Sequence, residues 1–397
     1  MKRFFKDDTF DLLFRVVLGS TARECADPGE VFACHARIKD GKPDSWFEEW
    51  VATASHVEGI ASAAEAAGHA VSARCAYLRA STYYSTATFM SDQSKDPAAF
   101  MPTWERHRDC WEKAINLWPV PVESVAIPYE DTALHGYLFR PDASDQARPL
   151  LILISGSEGS MTSAWVQGAG AAIERGYCVL VFDGPGQQAA LFRRGLHFRP
   201  DWEHVVTPIV DFLLERNDVD GQRIALLGMS QAGYWAARAL AFEKRIAAGV
   251  VDPGVVDVGA MWRDQMPERI IKYVDARERD KFERDMGVAF KMMKGLKARI
   301  EFRMRPFGVD SLYDVLVALE EYRLGDLAKE ITCPMLITNP EDDKFWPGQS
   351  QQLFDALECD KEIVSFTSAE GADHHCEPLS TYLREQRIFD WLDSKLA

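Results

Sequence analysis

The sequence predicts an α/β protein: a doubly wound, mostly parallel eight-stranded sheet, preceded by a helical region and interrupted by a helical lid. Three observations predict it. From Val122 onward, short continuous Val/Ile/Leu runs alternate with helical segments, as strands buried on both faces of a parallel sheet require. The first 120 residues carry helical spacing instead. Between Asp252 and Ile331 the strand pattern stops and charged helical sequence takes its place.

In the region 1–120, apolar residues recur at helical intervals through Trp46, Trp50, Val57 and Ile60. They recur again through Ala76, Tyr77, Ala80, Tyr83, Tyr84 and Ala87. AEAAGHAVSARCAYLRAS reads as a helical hairpin turning at Gly68. No fixed period extends over three units, so this is a helical layer rather than a repeat array.

The sheet core is expected over 121–254 and 331–397. VESVAIP and ALHGYLFRP form an antiparallel hairpin joined at Tyr129-Glu130-Asp131-Thr132. Six further strands follow: LLILIS (150–155), CVLVFD (178–183), RIALLG (223–228), AAGVVD (247–252), PMLIT (334–338) and EIVSF (362–366). PDWEHVVTPIVDFLLER and LREQRIFDWLDSKL are among the intervening helices. The segment 255–330 is too long for a bare loop and reads as a lid. Its Met266, Met286, Met292, Met293 and Met304 suit either an adaptable pocket lining or a helical core.

With 45 basic and 61 acidic residues the formal charge is 45 − 61 = −16, which disfavours nucleic acid and anionic membrane surfaces as partners. Asp7 and Asp8 interrupt the apolar run that a secretory signal would need, and no segment reaches membrane-spanning length. A soluble, cytoplasmic protein is expected. The eight cysteines include no CxxC pair, so free thiols are expected rather than disulfides or a zinc site. No metal and no cofactor is expected.

Chemistry concentrates in RIALLGMSQAGYWAARALAF, a buried strand running through Gly228-Met229-Ser230-Gln231-Ala232-Gly233 into an amphipathic helix. Small residues around Ser230 permit the strained strand-to-helix turn that exposes a nucleophilic hydroxyl. The pattern departs from G-x-S-x-G at the fifth position, which is Ala232; glycine follows at Gly233. A general base should come later in the chain. Of nine histidines only His374 and His375 follow Ser230, just past the last predicted strand. Adjacent histidines diverge, so a metal pair there is disfavoured.

An orienting acid is expected after PMLIT, in Asn339-Pro340-Glu341-Asp342-Asp343-Lys344-Phe345-Trp346-Pro347. Asp343, four residues before Pro347, is the first choice and Asp342 the second. The oxyanion hole needs two backbone N–H groups. Gln231 should supply one, and Ser157 or Glu158 of Gly156-Ser157-Glu158-Gly159-Ser160 the other. Asp183-Gly184-Pro185-Gly186-Gln187 lacks the GxxxxGK[ST] of a phosphate loop and reads as a structural turn at the pocket rim. A serine where epoxide- and halide-cleaving relatives of this fold carry aspartate points to attack on a carbonyl and an acyl-enzyme.

These residues resemble the α/β-hydrolase superfamily. Within it the chain looks like the branch with a helical N-terminal region, related to FrsA-like esterases, dihydroxypseudooxynicotine hydrolase and fungal polyketide-shortening hydrolases. The likeness is carried by PDSWFEEW, LLILISGSEGSMTSAW, VFDGPGQQ, GMSQAGY, FGVDSLYDVLVALEEYRL, CPMLITNPEDD and FTSAEGADHHCEP, over nearly the whole length. In such relatives the catalytic histidine precedes a cysteine, which matches His375-Cys376. The resemblance implies Ser230 as nucleophile, Asp343 as acid and His375 as base, between the sheet and a helical cap. It also implies N-terminal helices that cover the site or form a homodimer interface.

Such an apparatus cleaves esters, thioesters or, where the departing carbon becomes a stabilised carbanion, carbon–carbon bonds of 1,3-diketones and polyketides. The expected partner is a small apolar or aromatic acyl substrate, for which Trp262, Tyr273, Phe302, Phe307 and Tyr313 are candidate contacts. A non-catalytic binding protein is the competing reading from another class. A peptidase or acyltransferase would use the same triad.

Overall fold

The computed structural model describes residues 2–144, 146–293 and 295–397. Among them, eight strands form one sheet in the order β1-β2-β4-β3-β5-β6-β7-β8. These are β1 (Val122–Tyr129), β2 (Thr132–Phe139), β3 (Arg148–Ile154), β4 (Cys178–Phe182), β5 (Val219–Met229), β6 (Ala248–Asp252), β7 (Met335–Pro340) and β8 (Lys361–Phe366). β1 and β2 pair antiparallel across the predicted Glu130-Asp131 turn, and β2 runs antiparallel to β4. Every pairing from β4 to β8 is parallel.

The inner strands β3 to β7 are buried on both faces, as their apolar runs require, whereas the edge strands β1 and β8 carry exposed residues. Leu150, Ile152 and Ile154 of β3 point into one core, while Leu151 and Leu153 point into the other. Ile224 and Leu226 against Ala225 and Leu227 repeat the alternation in β5.

The helices Glu203–Leu214 and Ala232–Leu240 pack on one face of the sheet and Gly170–Glu174 and Thr381–Lys395 on the other, and two further helical layers extend these cores. The helices Asp8–Gly19 (α1), Pro28–His35 (α2), Pro43–Ala66 (α3), Ala70–Thr88 (α4) and Phe100–Asn116 (α5) lie on one face. Their Trp46, Trp50, Tyr77, Tyr83 and Trp111 share a core with Leu151, Val179 and Leu227 of the sheet. The α3–α4 hairpin turns at Gly68, whose φ of +78° is left-handed. Ile60 does not belong to the buried stripe: it is 44% exposed, because the stripe steps from Val57 to Ala61.

The segment after β6 is helical, running through Gly259–Asp264, Glu268–Asp275, Arg279–Met292, Leu296–Met304 and Leu312–Ala318. It packs into the opposite core through Trp262, Phe282, Phe307 and Leu316. Met286 and Met304 are buried there, whereas Met292 and Met293 are 79% and 55% exposed. Those methionines are structural or solvent-facing; none lines the main cavity.

The two layers meet above the carboxyl edge of the sheet. Arg305, just beyond Leu296–Met304, pairs with Asp92 at 2.5 Å, and its guanidinium lies 4.4 Å from the Phe100 ring centroid. Lower down, buried Arg108 of α5 pairs with Asp183 at 3.0 Å at the end of β4. Because β3 lies between β4 and β5, successive crossovers run in opposite directions there. This switch point opens a crevice at the carboxyl ends of β3 and β5. No helix among the described residues is long and apolar enough to cross a membrane.

Candidate active site

β5 ends at Met229, and Ser230 takes a left-handed φ of +57° before the helix Ala232–Leu240 begins. Such a conformation costs a non-glycine residue energy and persists only where its neighbours hold it. The Ser230 N–H donates to the Asp252 carbonyl at 2.6 Å, and its own carbonyl accepts from Gly233 at 2.9 Å. Flanking glycines permit the close approach. A Cβ on Gly228 would lie 2.2 Å from the Ala232 carbonyl oxygen, and one on Gly233 2.0 Å from that of Pro253. Crowding therefore falls on Gly228 and Gly233, while Ala232 at the fifth motif position is a buried residue opening the helix.

The Ser230 hydroxyl lies 2.8 Å from His375 Nε2, and His375 Nδ1 lies 3.1 Å from Asp343 Oδ2. Three separate loops, after β5, β7 and β8, supply this hydrogen-bonded chain. Asp343 Oδ1 accepts the N–H groups of Phe345 at 2.7 Å and Trp346 at 3.3 Å. Burial acts to raise the Asp343 carboxyl, but His375 and these N–H groups outweigh it and hold it below the usual carboxylate range. The Phe345 and Trp346 rings stand 4.6 and 5.7 Å from the His375 ring.

His374 turns the other way and meets Asp373 at 3.1 Å. Asp342 is half-exposed and pairs with Lys344; its backbone N–H donates to the Asp373 carbonyl at 2.8 Å. Asp342 thus ties the acid loop to the base loop through its main chain, while its carboxylate faces away.

Ser157 and Glu158 line the cavity beside Ser230 and Gln231, and Ser157 donates its hydroxyl to Glu158. Among the described residues, the backbone N–H groups of Gln231, Ser157 and Glu158 have no protein acceptor. Gly156 sits against the serine: a Cβ there would be 2.9 Å from Ser230 Cβ.

The residue missed by sequence reasoning is Gln187. Its amide donates to the carbonyls of Ser155 and Gly156 at 2.7 and 2.8 Å, and its Oε1 accepts from Gly184 at 2.9 Å. The Asp183–Gln187 turn is therefore a structural turn, buried as a brace under the loop after β3. Gln188 adds a bond to the Glu158 carbonyl at 2.9 Å. Its only signal was adjacency of the two loops at the switch point.

Above Ser230 a cavity of about 950 Å³ opens between α1, α4 and the lid. That volume is at the upper end for a small-molecule site. Its apolar wall includes Phe89, Trp262, Phe302, Phe307, Phe345 and Trp346. Tyr273 and Tyr313 lie outside it; Tyr313 is buried in the core shared with the sheet and Tyr273 packs partly buried against that core. Among the described residues no cluster of three or more His, Cys, Asp or Glu is arranged to hold a metal ion.

Comparison with known proteins agrees with this architecture. The family model described as "Alpha/beta hydrolase family" matches residues 134–387. "Hydrolase acrC" of Aspergillus aculeatus is 30% identical over an alignment 427 positions long, spanning 100% of this chain and 98% of its own. "20-hydroxy-prefusarin hydrolase FUS2" of Gibberella moniliformis is 28% identical over 426, spanning 100% and 99%. Among solved structures, the 2,6-dihydroxy-pseudo-oxynicotine hydrolase matches with a TM-score of 0.75 at 20% identity. That match covers 96% of this chain and 95% of the other and speaks to the fold alone. The sheet order, the helical N-terminal layer and these matches lead to one conclusion: the chain belongs to the alpha/beta hydrolase family.

Proposed function

We propose that this protein is a serine hydrolase that cleaves a small apolar or aromatic acyl compound through an acyl-enzyme on Ser230. The observation that carries the reading is the hydrogen-bonded chain Ser230–His375–Asp343 beneath a cavity with an aromatic wall. In this reading His375 Nε2 takes the hydroxyl proton as Ser230 attacks the carbonyl, and Asp343 holds the tautomer and balances the imidazolium. The oxyanion is met by the N–H groups of Gln231 and of Ser157 or Glu158. Collapse expels the leaving group, which His375 protonates; water activated by the same imidazole then releases the acid.

The leaving group is an alkoxide for an ester, or a stabilised carbanion for a 1,3-diketone or polyketide-like substrate. The aromatic part of the cavity wall suits either. A relative aligned over the whole chain is named for hydrolysis of 20-hydroxy-prefusarin, which supports the hydrolase reading.

The test compares aryl acyl esters with an aromatic 1,3-diketone, identifying products by mass. Cleavage of the diketone between its carbonyls supports the carbon–carbon reaction. Ester turnover with an untouched diketone removes it. Turnover of neither class, across substrates that fit the cavity, overturns the acyl-hydrolase reading.

A further inference from the structure

Immediately after His375, Cys376 and Glu377 both adopt left-handed backbone conformations, with φ of +56° and +43°. Two consecutive residues without glycine in this region are strained, and something must hold them. Glu377 is completely buried, and so is Asp252 at the end of β6. Asp252 Oδ1 accepts the Thr338 hydroxyl at 2.7 Å. Its Oδ2 and both Glu377 carboxyl oxygens receive no N–H or O–H donor from the described residues. The neighbouring Cys376 thiol reaches the Asp252 carbonyl at 3.3 Å, and Asp252 is close enough to Glu377 to raise its carboxyl. Two neighbouring carboxyl groups can bond only if one keeps its proton.

Asp252 is also the residue whose carbonyl receives the Ser230 N–H, at 2.6 Å, and the Cys376 thiol, at 3.3 Å. Its main chain thus holds the serine turn, and its side chain meets the residue two beyond the imidazole. We propose that Glu377 and Asp252 share one proton, and that Glu377 is thereby a positioning residue locking the His375 loop in register with Ser230. The proposal rests on the reading of Ser230 and His375 as nucleophile and base.

The groups around Glu377 fit this role. Burial pushes its carboxyl well above the usual range, Asp252 pushes it further, and Asp343 adds in the same direction. Arg384 of the helix Thr381–Lys395 opposes them. That guanidinium is engaged elsewhere, donating to the carbonyls of Cys376 at 2.8 Å and Val166 at 2.9 Å. The neutral form of Glu377 therefore donates to Asp252 through one O–H, a bond that an amide N–H can replace.

The experiment measures the second-order rate of fluorophosphonate labelling of Ser230 in the full-length protein, at pH 7.5 and pH 9. Glu377→Gln should label within about twofold of wild type at pH 7.5 and hold at least the wild-type rate ratio at pH 9. Glu377→Leu, with no donor, should label at least about tenfold more slowly, since small displacements of catalytic groups are costly. Circular dichroism checks the fold of each variant. Should Glu377→Leu fail to fold, Glu377→Asp retracts the carboxyl by one methylene and carries the test with the same expected loss. A loss in Glu377→Gln equal to that in Glu377→Leu overturns the proposal. So does a wild-type rate in Glu377→Leu, or an alkaline loss in Glu377→Gln that wild type lacks. Failure of wild type to label at Ser230 overturns the hydrolase reading instead, so the two failures are distinguishable.

Discussion

Gln187 Nε2 donates to the Gly156 carbonyl at 2.8 Å, across 31 residues of sequence, and so fixes the loop expected to complete the oxyanion hole. Gln187→Ala would leave the Ser155 and Gly156 carbonyls buried without that donor, at a cost of about 1–3 kcal/mol. We expect a lower Tm and a kcat reduced roughly tenfold, with KM nearly unchanged, because the oxyanion forms only after binding. Steady-state kinetics and thermal denaturation check this. An unchanged kcat would remove Gln187 from the site.

The two adjacent histidines should separate cleanly. His375→Ala should lose turnover by roughly a thousandfold or more, because Ser230 loses its proton acceptor. His374→Ala should stay within about threefold of wild type, because that ring meets Asp373 and not Ser230. Parallel kcat measurements decide; the reverse order would reassign the base.

Asp343→Asn should lower kcat by about 10³–10⁴ by disturbing the His375 tautomer, whereas Asp342→Asn should remain active. Asp343 also leaves a signature in stability. Its folded-state carboxyl lies below the usual range, so its contribution to stability is present above the unfolded value, near about 4. That contribution is lost as pH falls through the folded value. Thermal denaturation between pH 7 and pH 3 should therefore show wild type losing stability more steeply at the acid end than Asp343→Asn. Parallel curves would contradict the assignment.

The roof offers a test through substrate binding. Arg305 joins the lid to the N-terminal layer through Asp92 and the Phe100 ring. Arg305→Ala should raise KM several-fold for substrates that fill the cavity and change kcat less. A fall in kcat alone would place Arg305 in the chemistry.

The inner strands β3 to β7 were legible because each is buried on both faces and spells that burial as an apolar run. Their ends were less so. β5 begins at Val219, ahead of the apolar Ile224, because Asp220-Gly221-Gln222 carries no hydrophobic signal. The residues of the serine turn were legible because small side chains there answer a local steric demand at Gly228 and Gly233. Gln187 and Glu377 were not, since each acts on a loop that only the folded sheet brings beside it. Nor could helical spacing decide that Phe302 faces the cavity while Tyr273 and Tyr313 turn to the core shared with the sheet.

Covalent capture of the nucleophile decides whether Ser230 does the chemistry. Intact-protein mass after fluorophosphonate treatment should show one adduct on wild type, mapped to Ser230 and absent from Ser230→Ala. No adduct on folded wild type, or an adduct retained in Ser230→Ala, would contradict it.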